Sequence, residues 1–180
     1  MRIKAEDTMA LIIDYQESLM KVMYESEELE KNAGILIKGL KTLGIPMIIT
    51  QQYTRGLGNS AASIYEAAQT EEYMDKLSFS CYKDEKIKTA VDESGKKNVI
   101  ICGIETHICV LQTCIDLKAA GYQPILVTDC ISSRKKSNRD MGIRRAIQEG
   151  VLVTTYEAIL FELLEKAGSE TFKKISKLIK

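Results

Sequence analysis

Apolar residues in this chain fall into two patterns, solid runs and helically spaced stripes, and the two alternate from end to end. The solid runs are Thr8 to Asp14 (T-M-A-L-I-I-D), Ile45 to Thr50 (I-P-M-I-I-T), Val99 to Cys102 (V-I-I-C), Gln123 to Thr128 (Q-P-I-L-V-T) and Val151 to Thr155 (V-L-V-T-T). Runs of this length without polar alternation read as strands buried on both faces. Pro46 stands near the start of its run, where a missing N–H does least harm. Between the runs, spacing predicts helices from about Glu27 to Leu43, Ser63 to Gln69, Asp84 to Glu93, Ile108 to Ala119, Asn138 to Glu149, Tyr156 to Lys166 and Glu170 to Ile179. Gly44, Gly95, Gly121 and Gly150 follow four of them as stops. Gln51 to Ser60 reads as a turn-rich loop and Asp129 to Lys136 as a polar loop, while Glu72 to Tyr82 fits strand or loop equally.

Strands alternating with helices predict an α/β protein: a Rossmann-like three-layer α/β/α sandwich around a mostly parallel sheet. At 180 residues, with no linker, repeat or low-complexity tract, residues 1–180 are expected to form one domain. Ligands of such sheets sit beyond the carboxyl ends of the strands. Asp14, the Gln51/Gln52 pair and the turn from Gly103 to Cys109 all fall just past strand ends, so one rim is expected to gather them.

Composition narrows the partners. Lysine plus arginine equals aspartate plus glutamate, 25 against 25, which gives no general attraction to nucleic acid or an anionic membrane. No stretch approaches the ~18 apolar residues of a membrane span, and the first residues, M-R-I-K-A-E-D, lack a signal-peptide core. Five cysteines, an odd number in no zinc spacing, point to reduced thiols and a cytoplasmic location. The single histidine, His107, excludes a multi-histidine metal site within one chain. The expected partner is a small-molecule substrate.

The chemistry centres on V-I-I-C-G-I-E-T-H-I-C-V, where a buried strand feeds a helix and Cys109 falls in its first turn. Unpaired N–H groups and the positive end of the helix dipole there favour a thiolate. His107 is two residues away, which on a helix means nearly the opposite face, so it reads as a packed or surface residue rather than the base. Asp14, at the mouth of a buried strand, is the better proton acceptor. Lys76, the only lysine in M-D-K-L-S-F-S, reads on its own either as solvated surface or as a fixed ammonium that holds that carboxylate and favours the thiolate. Arg134 to Lys136 reads as a solvated loop.

Together, L-I-I-D-Y-Q, D-K-L-S-F-S and G-I-E-T-H-I-C-V resemble the cysteine hydrolases of the isochorismatase-like superfamily, in matching order and over most of the chain, about Met9 to Leu164. The resemblance implies a catalytic triad of Asp14, Lys76 and Cys109. It also implies a cis peptide between Ile104 and Glu105, and an oxyanion hole made by the backbone N–H groups of Glu105 and Cys109. Acyl transfer on a small amide or related C–N substrate, through a thioester, is the implied reaction, and a homo-oligomer the implied assembly. Gln16, Gln52 and Phe79 are candidates for the pocket lining.

Departures from better-known branches narrow the activity. Nicotinamidases in this superfamily hold a metal through an Asp-x-His pair after the second strand; here that position reads T-Q-Q-Y-T, so neither metal nor cofactor is expected. True isochorismatases lack the cysteine. The loop T-Q-Q-Y-T-R-G-L-G is most similar to the general hydrolase branch, with Gln51 where that branch has glutamate. Among rival readings, a dinucleotide-binding protein requires G-x-G-x-x-G where this chain has D-Y-Q-E-S, and an aspartyl phosphatase requires a second aspartate at Gln16. A catalytically silent oligomeric scaffold of the same fold remains the alternative. The C-terminal stripe of Phe172, Ile175, Leu178 and Ile179 reads first as packing on its own domain.

Overall fold

A computed structural model describes residues Met1–Lys180. In chain order the elements are β1 (Thr8–Ile13), α1 (Glu17–Met20), α2 (Ser26–Thr42), β2 (Met47–Gln52), α3 (Thr54–Leu57), α4 (Ala62–Ala68), β3 (Met74–Lys76), α5 (Glu85–Glu93), β4 (Asn98–Ile104), α6 (Leu111–Ala119), β5 (Gln123–Ser132), α7 (Lys136–Gln148), β6 (Leu152–Thr154), α8 (Tyr156–Leu164) and α9 (Glu170–Ile179). Helix starts follow local chemistry: the side chains of Asp84, Thr155 and Ser169 accept the first free N–H groups of α5, α8 and α9. The strands form one six-stranded sheet in the order β3-β2-β1-β4-β5-β6, every neighbouring pair parallel. The sheet is thus fully parallel; the one antiparallel pairing is an isolated bridge between Gln16 and Ser60.

The period of two along the central strands divides the core. Ala10, Ile12, Ile100, Cys102 and Ile104 face α2, α4, α8 and α9, whereas Met9, Leu11, Ile13, Val99 and Ile101 face α5 and α6. Burial of β1 and β4 along their whole length explains why their sequences carry no polar alternation. The order reverses between β1 and β4, which are adjacent in register from Thr8↔Asn98 to Ile13↔Gly103. A crevice opens at such a switch point, beyond the strand ends. Gly103 is required there: its φ is +141°, and a Cβ would lie 2.2 Å from the Ile13 carbonyl oxygen.

Two sequence expectations need correction. Asp129 to Ser132 belongs to β5 rather than to a polar loop, because the pairing of β5 with β4 jumps from Ile101↔Leu126 to Gly103↔Ile131. That bulge carries polar Thr128 and Asp129 between the two paired stretches, which hides the strand from a periodicity reading. The ambiguous Glu72 to Tyr82 stretch resolves into the short edge strand β3, bends, and a 3₁₀ turn at Cys81–Lys83. No helix is long and apolar enough to cross a membrane.

Candidate active site

Three strand ends meet at the switch point. β1 delivers Asp14, which takes a left-handed conformation (φ 54°) that turns the chain sharply after the strand. Its N–H donates to the Thr50 carbonyl across to β2. β3, on the far side of β2, delivers Lys76 as its last residue. The two side chains are fully buried and joined: Lys76 Nζ lies 2.7 Å from Asp14 Oδ2. Thr50 Oγ1 donates to the other carboxylate oxygen, Oδ1, at 2.8 Å. Lys76 Nζ also donates to Gln52 Oε1 (2.7 Å) and to the Phe79 and Ser78 carbonyls (3.1 and 3.3 Å). A buried ion pair is tolerable only when it is well hydrogen-bonded. Here each carboxylate oxygen accepts one hydrogen bond, and the ammonium finds an acceptor for each of its protons.

β4 delivers the turn that carries Cys109. The peptide bond between Ile104 and Glu105 is cis. Thr106–Val110 then forms a π-helical turn before α6 begins at Leu111, so Cys109 stands ahead of the α-helix rather than inside its first turn. The Glu105 carbonyl accepts from the Ile108 and Val110 amides, and the Cys109 carbonyl accepts from Thr113 Oγ1 at 2.7 Å. α7 packs on the turn through Gly142, where a Cβ would lie 3.0 Å from Thr106 Cγ2 and 3.2 Å from the His107 backbone. His107 faces away from the sulfur, its Nδ1 2.9 Å from Ser133 Oγ.

Electrostatics at the thiol run against the sequence expectation. Cys109 is 7% exposed. Burial pushes its thiol well above the ordinary range, and the charge of Asp14 adds to the rise, outweighing the Lys76 ammonium that favours thiolate. The resting group is therefore a thiol. For Lys76, burial is the largest single effect and disfavours the ammonium. The charge and hydrogen bond of Asp14, added to the influence of the neighbouring Cys81 and Cys109, together hold its pKa above the usual lysine value all the same. The resting site thus pairs a protonated nucleophile with an ammonium, an arrangement that needs a base at the moment of attack.

The chain matches the isochorismatase domain model over residues 8–158. The chain belongs to the isochorismatase family. Among its relatives, the secreted isochorismatase effector Isc1 of Phytophthora sojae is 34% identical over 99% of this chain and 87% of its own. The MAR1 ribonuclease of Caenorhabditis elegans superposes with a TM-score of 0.92 at 31% identity, covering 99% of this chain and 92% of that one. The nicotinamidase PncA of Bacillus subtilis shares the fold at 14% identity and a TM-score of 0.73, covering 82% of this chain and 99% of its own.

In this isochorismatase-family chain, the glutamines following β1 and ending β2 form one clamp. Gln16 Nε2 donates to the Gln52 and Gly58 carbonyls (3.0 and 2.7 Å), and Gln16 Oε1 accepts from the Gln52 N–H at 2.7 Å. Gln52 Oε1 lies 3.9 Å from Cys109 Sγ while also accepting from Lys76, so its carboxamide spans the ammonium and the sulfur. Gln16 is fully buried and spent on backbone, which makes it a brace for Gln52 rather than pocket lining. Phe79 contributes its carbonyl to Lys76, and its ring is 54% exposed. Sequence reading missed Arg134 as a partner: its N–H and Nε donate to the Glu105 carboxylate at 3.0 and 3.2 Å, tying the β5 end to the Cys109 turn. An arginine in a polar stretch gives no sequence signal for such a pairing.

Proposed function

We propose that this chain is a cysteine-dependent hydrolase of a small amide or related C–N substrate, using Asp14, Lys76 and Cys109. The observation that carries this reading is the fully buried Lys76–Asp14 pair at 2.7 Å, set at the switch point beside Cys109. A carboxylate has about four lone-pair sites. Thr50 and Lys76 use two of them, leaving Asp14 able to accept the thiol proton. Because the resting sulfur is a thiol, proton transfer to Asp14 accompanies attack on the substrate carbonyl. The tetrahedral oxyanion is received by the N–H groups of Glu105 and Cys109; a donor of this kind is typically worth ~10²–10³ in rate. Collapse breaks the C–N bond, and the leaving amine takes the proton from Asp14. Water, deprotonated by Asp14, then attacks the thioester, releasing the acid and returning the proton to sulfur.

Two other readings are separable. Likeness to a ribonuclease raises phosphodiester cleavage, which needs cations free to receive a phosphate. Next to Cys109 the sole buried ammonium is Lys76, already committed to Asp14, Gln52 and two carbonyls. A catalytically silent scaffold predicts no chemistry at the sulfur. The deciding experiment offers small amides, carbamoyl compounds and ureides to the protein and to Cys109→Ala, reading product and intact mass. The expected result is an acyl adduct on the wild-type chain alone and loss of turnover in the variant. Full turnover in Cys109→Ala, or RNA cleavage with no acyl adduct from any amide, would overturn the reading.

A further inference from the structure

The second feature of this molecule lies away from the rim that holds Cys109. Where α2 ends, its last turns face α9 and the end of α4 across a cleft of about 630 Å³ lined by Lys38, Lys41, Thr42, Ala67, Gln69, Lys174, Lys177 and Leu178. Lys38 and Lys41 are three residues apart on α2, and Lys174 and Lys177 three apart on α9, so each pair occupies one helix face. All four lysines are exposed, and none makes a salt bridge. No carboxylate lines the cleft.

Four ammonium groups without a salt bridge, gathered on one cleft that no carboxylate lines, concentrate positive charge in a chain whose charges balance at 25 and 25. Helix dipoles account for Lys41 and Lys177, which stand in the last turns of α2 and α9. They do not account for Lys38 and Lys174, and like charges at this spacing repel. We propose that the cleft is a binding site for a compact polyphosphate anion, inorganic or carried on a nucleotide. Its volume suits a small ligand, and lysines on flexible stems converge on phosphate oxygens as point-charge donors. Gln69 adds a neutral hydrogen-bonding group at the edge, whereas the Thr42 hydroxyl is spent on the Lys38 carbonyl at 2.8 Å. No aromatic ring lines the cleft, so a stacking platform for single-stranded nucleic acid is missing.

Calorimetric titration of the full chain with tripolyphosphate, ATP and sulfate at matched ionic strength tests this. The expected result is one tripolyphosphate per chain, binding that weakens with added salt, and much weaker binding of sulfate. Equal affinities for tripolyphosphate and ATP assign recognition to the phosphates, whereas a gain for ATP adds a contact to the nucleoside. Lys38→Gln/Lys174→Gln, both at exposed positions, should lower the affinity by about tenfold or more, and Cys109→Ala should leave it unchanged. Undiminished affinity in the double variant would overturn the proposal. So would sulfate binding as tightly as tripolyphosphate, or binding confined to a single-stranded RNA oligonucleotide.

Discussion

At the scale of the residue, the proposed function gives the Asp14–Lys76 pair a chemical role beside its structural one, and the two can be pulled apart. Each side chain is fully buried. Removing one partner of such a pair leaves an uncompensated charge, at a cost of roughly 3–5 kcal/mol. Asp14→Asn is therefore expected to lose turnover and a comparable amount of stability together. Asp14→Asn/Lys76→Met removes both charges, and urea unfolding should recover a large part of that loss while turnover stays absent. Recovery of turnover with stability would reduce Asp14 to a structural counter-ion. The meeting of acid, ammonium and thiol at one rim was legible in the sequence because each sits in a recognisable motif at or just past a strand end. Their protonation was not. A place in a helix's first turn argued for a thiolate, but the state of Cys109 is set by burial, which depends on packing from β1, β2 and β4 together.

At the scale of the element, the site depends on how closely β1 and β4 lie, since one ends at Asp14 and the other opens the Cys109 turn. Gly103 sets that distance. Gly103→Ala places a methyl group against the Ile13 carbonyl at a backbone angle that side chains rarely adopt. Overpacking and a disfavoured φ together should cost roughly 2–4 kcal/mol. Thermal unfolding of Gly103→Ala should fall accordingly, and activity should drop even well below its melting transition. An unchanged melting temperature would mean that the strands separate without cost. The elements legible from sequence are those whose pattern is uninterrupted: β1, β4, α2 and α9 lie within a residue or two of their expected bounds, apart from the far end of β4. What stayed hidden involves partners distant in the chain. The β5 bulge is defined by pairing with Gly103 and Ile104, and β3 is three residues long, held by Thr50 to Gln52. No local period encodes either.

At the scale of the whole molecule, all five cysteines are free and buried, and burial raises every one of their thiols. Cys81 is pushed up to about 11 and Cys102 to about 12. In the unfolded chain a thiol titrates near ~8.5. Below that pH both states keep their thiol protons and the thiols make no difference to stability between them. Above it the unfolded chain releases protons that the folded chain retains, so the unfolded state gains and stability falls with rising pH. Each thiol contributes up to about 1.4 kcal/mol per pH unit in that window. Five acting together are large against a total stability of roughly 5–15 kcal/mol. Lys76, also raised, acts in the same direction at higher pH. Urea unfolding under reducing conditions should therefore lose several kcal/mol between pH 8 and pH 10, a window set by the unfolded thiols and below the folded ones. Cys114→Ala should remove one proton from that dependence while lowering the baseline stability. A flat profile across the window would show that the thiols ionise alike in both states, and burial would then not be what raises the Cys109 thiol.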